Sequence, residues 1–199
     1  MEFEKDKCQW CGNDAPAYNS IYVPGEDKNL QICLHCYNKE ISKAAGIEYE
    51  DIQLHPVVLK DLDGMDHEFR FSLRLMGGQQ VLCAHEVKAD LSSGYEFKMI
   101  GETKEGIFPL FSRLYEQMLK SLSRKHISRN TEIDQWQITG DDTVRGQISS
   151  VGYDDAQGPN PLLIIDGKKI TWDEFAQMVL TYEGFNFKLQ IFDQNDEKD

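Results

Sequence analysis

Cys8-Gln9-Trp10-Cys11-Gly12 and Cys33-Leu34-His35-Cys36 are the two stretches that decide how the N-terminal part of this chain folds. Each contains two cysteines separated by two residues, the spacing at which a tight turn directs both thiolates to one point. Gly12 follows the first pair, where the backbone needs a conformation that glycine adopts readily. The two pairs predict one structural zinc ion, held by Cys8, Cys11, Cys33 and Cys36.

The residues between and after the two pairs supply the rest of a small module. Residues 17–32 alternate in the manner of a β-hairpin, which returns the chain to the first pair. The second pair opens a predicted helix over 37–45, which Gly46 ends as a left-handed cap. Turn, hairpin and ligand-bearing helix together resemble the treble-clef class of zinc fingers.

Other interpretations of the cysteines are weaker on chemical grounds. A redox-active pair belongs in a strand–helix–strand context, which neither pair has. A catalytic zinc keeps one position for water, whereas four thiolates close the coordination shell. His35 lies between two ligands and is an alternative fourth ligand, although we expect it to be a neighbour of the site.

The region after residue 54 predicts an antiparallel meander. Runs of alternating apolar and polar residues indicate strands over 55–60, 68–76, 80–87 and 95–99. An amphipathic helix then begins at Pro109. Its predicted apolar face consists of Phe111, Leu114, Tyr115, Met118, Leu119 and Leu122.

The last third predicts a connection over 128–140, strands over 144–151 and 162–165, a helix and a final strand. Thr171 and Glu174 have the spacing of a capping box, so that the helix begins at Trp172. The predicted buried stripe of this helix is Trp172, Phe175, Ala176 and Val179. Alternating apolar residues then predict the final strand over 185–192.

The predicted fold class is therefore α+β: a small treble-clef-like zinc module followed by a mostly antiparallel sheet with two packed helices. Three segments are expected: the zinc module at 1–50, the meander with its helix at 51–130, and a strand–strand–helix–strand segment at 131–199. In the alternative division, 51–130 and 131–199 form one domain.

The C-terminal run Leu163-Ile164-Ile165-Asp166-Gly167-Lys168-Lys169-Ile170-Thr171-Trp172-Asp173-Glu174-Phe175 resembles the end of an uncharacterised bacterial family. Residues 181–185 and 187–189, and earlier Asp63-Gly64, 67–69 and 94–97, fit the same pattern. Members of that family pair a cysteine-rich N-terminal module with an α+β body. The resemblance implies this arrangement and a bacterial cytoplasmic setting, but it implies no activity.

Charge and hydropathy bear on partners and location. Acidic side chains outnumber basic ones by 34 to 21, and residues 127–199 carry 14 acidic and 6 basic side chains. A duplex-binding surface concentrates Lys and Arg, so we expect another protein as the partner. The charged start, Met1–Lys7, and the lack of a long apolar run predict a cytoplasmic protein without a membrane partner.

Two further candidate sites provide alternatives. Nucleic acid is the alternative partner, bound through the zinc module and the basic end of the Pro109 helix, which carries Arg113, Lys120, Arg124, Lys125, His126 and Arg129. An enzyme with a site near His67 and His85, with Cys83 between them in sequence, is the second alternative. We expect Cys83 to be a buried, inert thiol. The leading prediction is a non-enzymatic, zinc-binding interaction protein.

Overall fold

The computed structural model describes residues 7–25, 28–88, 94–150 and 161–193. In the N-terminal module, β1 (Ser20–Val23) and β2 (Leu30–Cys33) form an antiparallel hairpin, with Ser20 opposite Cys33. Helix α1 (Leu34–Ala45) follows β2 directly and ends at Gly46, whose φ of 64° lies in the left-handed region. The predicted hairpin and helix are confirmed.

The meander is also confirmed. Its strands are β3 (Val57–Lys60), β4 (Asp66–Met76), β5 (Gln79–Glu86) and β6 (Glu96–Glu102), in the order β3-β4-β5-β6. Helix α2 (Ile107–Leu122) follows them. Its buried positions are Ile107, Leu110, Leu114, Met118 and Leu122, at spacings of three and four residues. Leu119, which the sequence predicted to be buried, is exposed. The buried face includes Leu110 and is therefore centred farther around the helix, away from Leu119.

The C-terminal region contains a hairpin that the sequence did not predict. Residues 128–140 were expected to be a connection, but β7 (Ile127–Asn130) and β8 (Gln135–Ile138) pair there. Arg129 lies opposite Trp136, and its guanidinium group lies 5.1 Å from the centre of the indole ring. Strands of four residues are too short to show a clear alternation of apolar and polar residues, which is why the sequence did not predict β7 and β8.

A second antiparallel sheet completes this region. It contains β9 (Gln147–Ser150), β10 (Pro161–Ile165) and β11 (Lys168–Thr171), with β10 in the centre. Residue 151 of the predicted strand lies outside the described residues. Asp166 and Gly167 form the turn between β10 and β11 with φ of 48° and 65°. A side chain on Gly167 would also meet the Tyr95 ring at 2.7 Å, so this turn requires glycine.

Helix α3 (Trp172–Leu180) begins with the predicted capping box. The Thr171 hydroxyl accepts a hydrogen bond from the Glu174 amide, and the Glu174 carboxylate accepts one from the Thr171 amide. Met178 of α3 is buried in a cluster with Ile127, Ile165 and Ile170. Phe175 packs against the same cluster, so α3 uses these two side chains to contact the sheet.

Two predictions about the C-terminal region are wrong. Of the predicted buried stripe of α3, only Phe175 is partly buried, whereas Trp172, Ala176 and Val179 are exposed. The predicted strand over 185–192 is not formed, because these residues pair with no other strand in the described part of the chain. Apolar periodicity gives the face of an element that avoids water but not what covers it.

The chain divides into two compact units that do not follow its linear order. The first comprises Met1–Val57, Phe69–His85 and Phe97–Gln117, and the second comprises Val58–Glu68, Glu86–Glu96 and Met118–Asp199. The division at residues 50 and 130 stays a prediction. Within the described ranges, no helix combines the length and apolar character that crossing a membrane requires.

Within the first unit, Asn38 connects the cysteine-bearing helix to β4. Its side chain is 1% exposed. The Asn38 amide donates to the carbonyl of Leu73 at 2.7 Å, and its carbonyl oxygen accepts from the N–H of Leu75 at 2.8 Å. A single side chain thus satisfies a donor and an acceptor of the strand and fixes α1 against it.

Replacing Asn38 should therefore destabilise the first unit. We expect Asn38→Ala to lower the free energy of unfolding by about 2–4 kcal/mol, because it leaves two buried backbone groups without partners. Urea denaturation measures this change. The control is Asn29→Ala, at an exposed position. Equal stability of the two variants would contradict the proposed role of Asn38.

Candidate metal centre

The first cysteine pair lies in a tight turn. The N–H of Cys8 donates to the carbonyl of Asn13, and the N–H of Gly12 donates to the carbonyl of Cys8, both at 2.8 Å. Gly12 has φ of 75°, as its position after the second cysteine predicted. These bonds hold the turn closed, so that the side chains of Cys8 and Cys11 point to the same side.

The second cysteine pair lies at the junction of β2 and α1. Cys33 ends β2 and occupies the N-cap position of α1, and Cys36 lies in the first turn of the helix. The backbone N–H of Cys33 donates to Sγ of Cys8 at 3.2 Å. Such a bond favours the thiolate form of Cys8, the form that binds metal.

The four sulfur atoms converge on one point. All of them lie within 4.8 Å of one another, and Sγ of Cys11 lies 3.8 Å from Sγ of Cys33. A tetrahedral Zn²⁺ site with zinc–sulfur bonds of about 2.3 Å has sulfur–sulfur separations of about 3.8 Å. The donor set therefore has the number and spacing to hold one metal ion.

Apolar side chains protect one side of this centre. Cys8 and Cys33 are buried in a cluster with Ala15 and Ile32. Cys11 is exposed and Cys36 is partly exposed. The site therefore lies at the edge of the small module's core, where a bound ion would link the turn, the hairpin and the helix.

The thiols differ in their tendency to lose a proton. Burial raises the pKa of Cys8, but hydrogen bonds from the backbone N–H groups of Cys33, Cys11 and Trp10 outweigh it and bring this pKa to about 6. Burial raises the pKa of Cys33, and burial together with the neighbouring thiols raises that of Cys36. Cys8 therefore loses its proton more readily than Cys33 and Cys36.

His35 takes part in a different interaction. Its Nδ1 lies 2.9 Å from one carboxylate oxygen of Asp51, and the other oxygen of this carboxylate accepts a hydrogen bond from the Tyr49 hydroxyl. These three residues line a groove of about 310 Å³ beside α1, within the first unit. His35 is not one of the four residues whose ligand atoms converge.

His67 lies between two carboxylates of the second unit. Its Nδ1 is 2.7 Å from Glu86 and its Nε2 is 3.1 Å from Asp61. The ring donates to both only when both nitrogens carry protons. Burial raises the pKa of Asp61, but the hydrogen bond from His67 and two backbone N–H groups lower it below its ordinary value. The arrangement is a polar network that joins β4 and β5.

The other residues of the predicted enzyme site have separate roles. Nε2 of His85 lies 3.0 Å from the Ser72 hydroxyl, and the His85 ring lies 5.9 Å from that of Tyr18. Cys83 is partly buried, not fully buried as expected. Across the described ranges, the four N-terminal cysteines are the only group of three or more His, Cys, Asp or Glu residues placed to hold a metal ion.

Carboxylates neutralise part of the predicted basic cluster. Lys125 forms an ion pair with Asp63, Arg129 with Asp134, and Arg113 with Glu105. A lysine or arginine that already has an acidic partner gains less from a phosphate. The structure therefore adds no support for the nucleic-acid alternative.

Comparisons with known proteins assign no role to the chain. Three family models match, each described as a domain of unknown function: DUF7685 over residues 7–48, DUF7686 over 50–123 and DUF7713 over 126–196. No curated protein and no solved structure matches the chain.

The raised pKa values of Cys33 and Cys36 predict that metal affinity depends steeply on pH. Binding must displace at least these two protons near neutral pH, whereas Cys8, with a pKa of about 6, has already lost its proton. The apparent dissociation constant should therefore fall by at least about a hundredfold for each unit of pH increase around neutrality.

Competition titration with a chelator at several pH values measures this slope. Cys83→Ser is the matched control and should show the same slope as the unmodified chain. A dissociation constant that does not change with pH would contradict the assignment of two displaced protons.

Proposed function

We propose that the chain is a zinc-binding protein that acts by binding another protein. One structural Zn²⁺, held by Cys8, Cys11, Cys33 and Cys36, stabilises the small module that makes this contact. The convergence of four sulfur atoms within 4.8 Å carries this proposal. Four thiolates fill a tetrahedral shell, so a bound zinc has no position for water or substrate. This argues for a structural ion and against a catalytic one.

The chemistry of the donor set supports zinc over most other ions. Thiolates are soft ligands, which calcium, magnesium and manganese bind poorly. A tetrahedral set of four sulfurs is typical of zinc or of iron–sulfur centres. The spacing near 3.8 Å fits a single ion at the centre, and zinc is the common ion in structural sites of this kind.

Two aromatic residues of the small module support a protein partner. Trp10 and Tyr22 are both exposed. The backbone N–H of Gln9, the neighbour of Trp10, donates to the carbonyl of Gln31, and Tyr22 lies opposite Gln31 in the hairpin. Trp and Tyr are enriched among the residues that dominate the binding energy of protein interfaces.

The position of these aromatic residues links the metal to the proposed surface. Trp10 lies between the ligands Cys8 and Cys11, and Tyr22 lies in the strand that pairs with the strand ending at Cys33. An ion that fixes the turn and the hairpin also fixes these two side chains. Pre-ordering of a binding surface lowers the entropy that association costs.

The metal prediction is that the purified chain contains about one zinc ion per molecule, as measured by elemental analysis without added metal. Cys33→Ser should lose the ion, because three thiolates and a hydroxyl bind zinc far more weakly. Cys83→Ser, outside the cluster, should retain it. Iron in place of zinc, or a folded chain without metal, would contradict the proposal.

The partner prediction concerns the double variant Trp10→Ala/Tyr22→Ala. We expect it to keep its zinc but to lose the protein that the unmodified chain captures from its source cell, as identified by mass spectrometry. Phe108→Ala is the matched control, because Phe108 is an exposed aromatic residue of α2. Unchanged capture by the double variant would place the partner surface elsewhere.

A further inference from the structure

The C-terminal segment, residues 185–193, leaves an alternating apolar face exposed. Phe185, Phe187, Leu189 and Ile191 are 73%, 89%, 75% and 71% exposed. They occupy every second position, and Asn186, Lys188 and Gln190 lie between them. In an extended chain the four apolar side chains therefore share one side.

The backbone of residues 186–192 has no strand partner in the part of the chain that the structure describes. The N–H of Phe185 donates to the carbonyl of Tyr182 at 3.0 Å. Beyond it, residues 186–192 form no hydrogen bond with any part of the chain that the structure describes. Residues 186–192 therefore have the composition of a half-buried strand, but the described residues provide neither a neighbouring strand nor an apolar cover for them.

Helix α3 presents a second uncovered apolar surface next to this segment in the chain. Trp172, Ala176, Val179 and Leu180 form what we term the α3 stripe, all of it exposed. Their successive spacings of four, three and one residues place them within about a third of the helix circumference. Phe175 and Met178 contact the sheet from another side of the helix, so the α3 stripe is not needed for the core of its own chain.

The exposed area is large enough to form an interface. A fully exposed aromatic side chain offers about 150–250 Å², so the exposed fractions of Phe185, Phe187 and Trp172 leave roughly 450 Å² open. With the exposed aliphatic side chains of the segment and of the α3 stripe, the open apolar area reaches roughly 800 Å² per chain. Each partner in a standard protein interface contributes about 800 Å².

We propose that this surface is occupied by a second copy of the chain. The two C-terminal segments pair as an antiparallel ribbon about a two-fold axis, and the apolar face of the ribbon covers the α3 stripe of both copies. The proposal goes beyond the function proposed above and does not depend on the metal.

A dimer of this kind pairs the backbone of the C-terminal segment and covers the α3 stripe at the same time. A two-fold interface uses the same patch on both partners, so each copy must offer a surface that complements itself. An unpaired strand is self-complementary, because two copies pair through their backbones in the antiparallel direction. In the register that places Phe187 opposite Ile191, Leu189 lies opposite Leu189 of the second copy and Lys188 lies opposite Gln190, so the apolar side chains remain on one face and no like charges are paired.

Charge also favours a second copy over a charged partner. The described C-terminal segment carries only Lys188 and Asp193, and the α3 stripe carries no charged residue. A net charge of −13 would otherwise keep two copies apart. Because the patch is apolar and nearly neutral, it adds little to the repulsion between two acidic chains. For the same reason, it offers little electrostatic attraction to a basic partner.

Sedimentation velocity over a range of concentrations tests the proposal. The unmodified chain should be a dimer that dissociates on dilution. Phe187→Asp/Leu189→Asp should raise the dissociation constant of the dimer by at least about thirtyfold, the effect of losing a central interface residue. Leu180→Asp, in the α3 stripe, should weaken the dimer as well.

The control is Phe108→Asp, which places the same charge at an aromatic residue of α2 that is 69% exposed. It should leave the dimer unchanged. All substituted side chains are exposed, and circular dichroism checks that each variant folds. Hydrogen exchange should show that the amides of residues 186–192 are protected in the dimer and exchange freely on dilution.

Three results would overturn the proposal. The first is an unmodified chain that stays monomeric at all concentrations. The second is a dimer that survives Phe187→Asp/Leu189→Asp, which would place the interface elsewhere. The third is protection of residues 186–192 in a monomer, which would show that the segment packs on its own chain.

Discussion

The convergence of four cysteine sulfurs on one point is the constraint on which the N-terminal part of the structure depends. Cys33 and Cys36 fix where α1 begins and how it is rotated. Asn38 lies two residues after Cys36, and its side chain binds backbone groups of both Leu73 and Leu75 in β4. The cysteines that orient α1 and the asparagine that attaches it to β4 therefore lie close together at the start of the same helix.

Polar groups in the second unit have similar structural roles. One carboxylate oxygen of Asp166 accepts hydrogen bonds from the backbone N–H groups of His126 and Ile127, at 2.7 and 2.8 Å. His67 joins Asp61 and Glu86, and Glu174 caps α3. A half-buried polar group is stable only when such partners are present. These contacts account for several of the acidic and histidine residues without assigning them any chemistry on a substrate.

The apolar residues of the chain fall into two groups. Met178 and Ile170 pack within the single chain, and sequence periodicity locates such residues well when the element has one apolar side. Helix α3 has two apolar sides, and the residues that follow it form a strand pattern without a sheet. This excess of apolar surface over what one chain covers is the physical basis for assigning the C-terminal region to an interface between copies.

The sequence by itself determined the cysteine cluster, the α+β class, the meander and the capping box at Thr171, because each depends on short-range spacing. A CxxC turn, a strand alternation and a cap are set by residues within a few positions of one another. Tertiary structure decided the rest. Three features depend on residues distant in sequence: the partners of His67 and His85, the bond from Asn38 to β4, and the exposed side of α3. Local patterns do not contain that information, because whether an apolar face is covered depends on which other elements reach it.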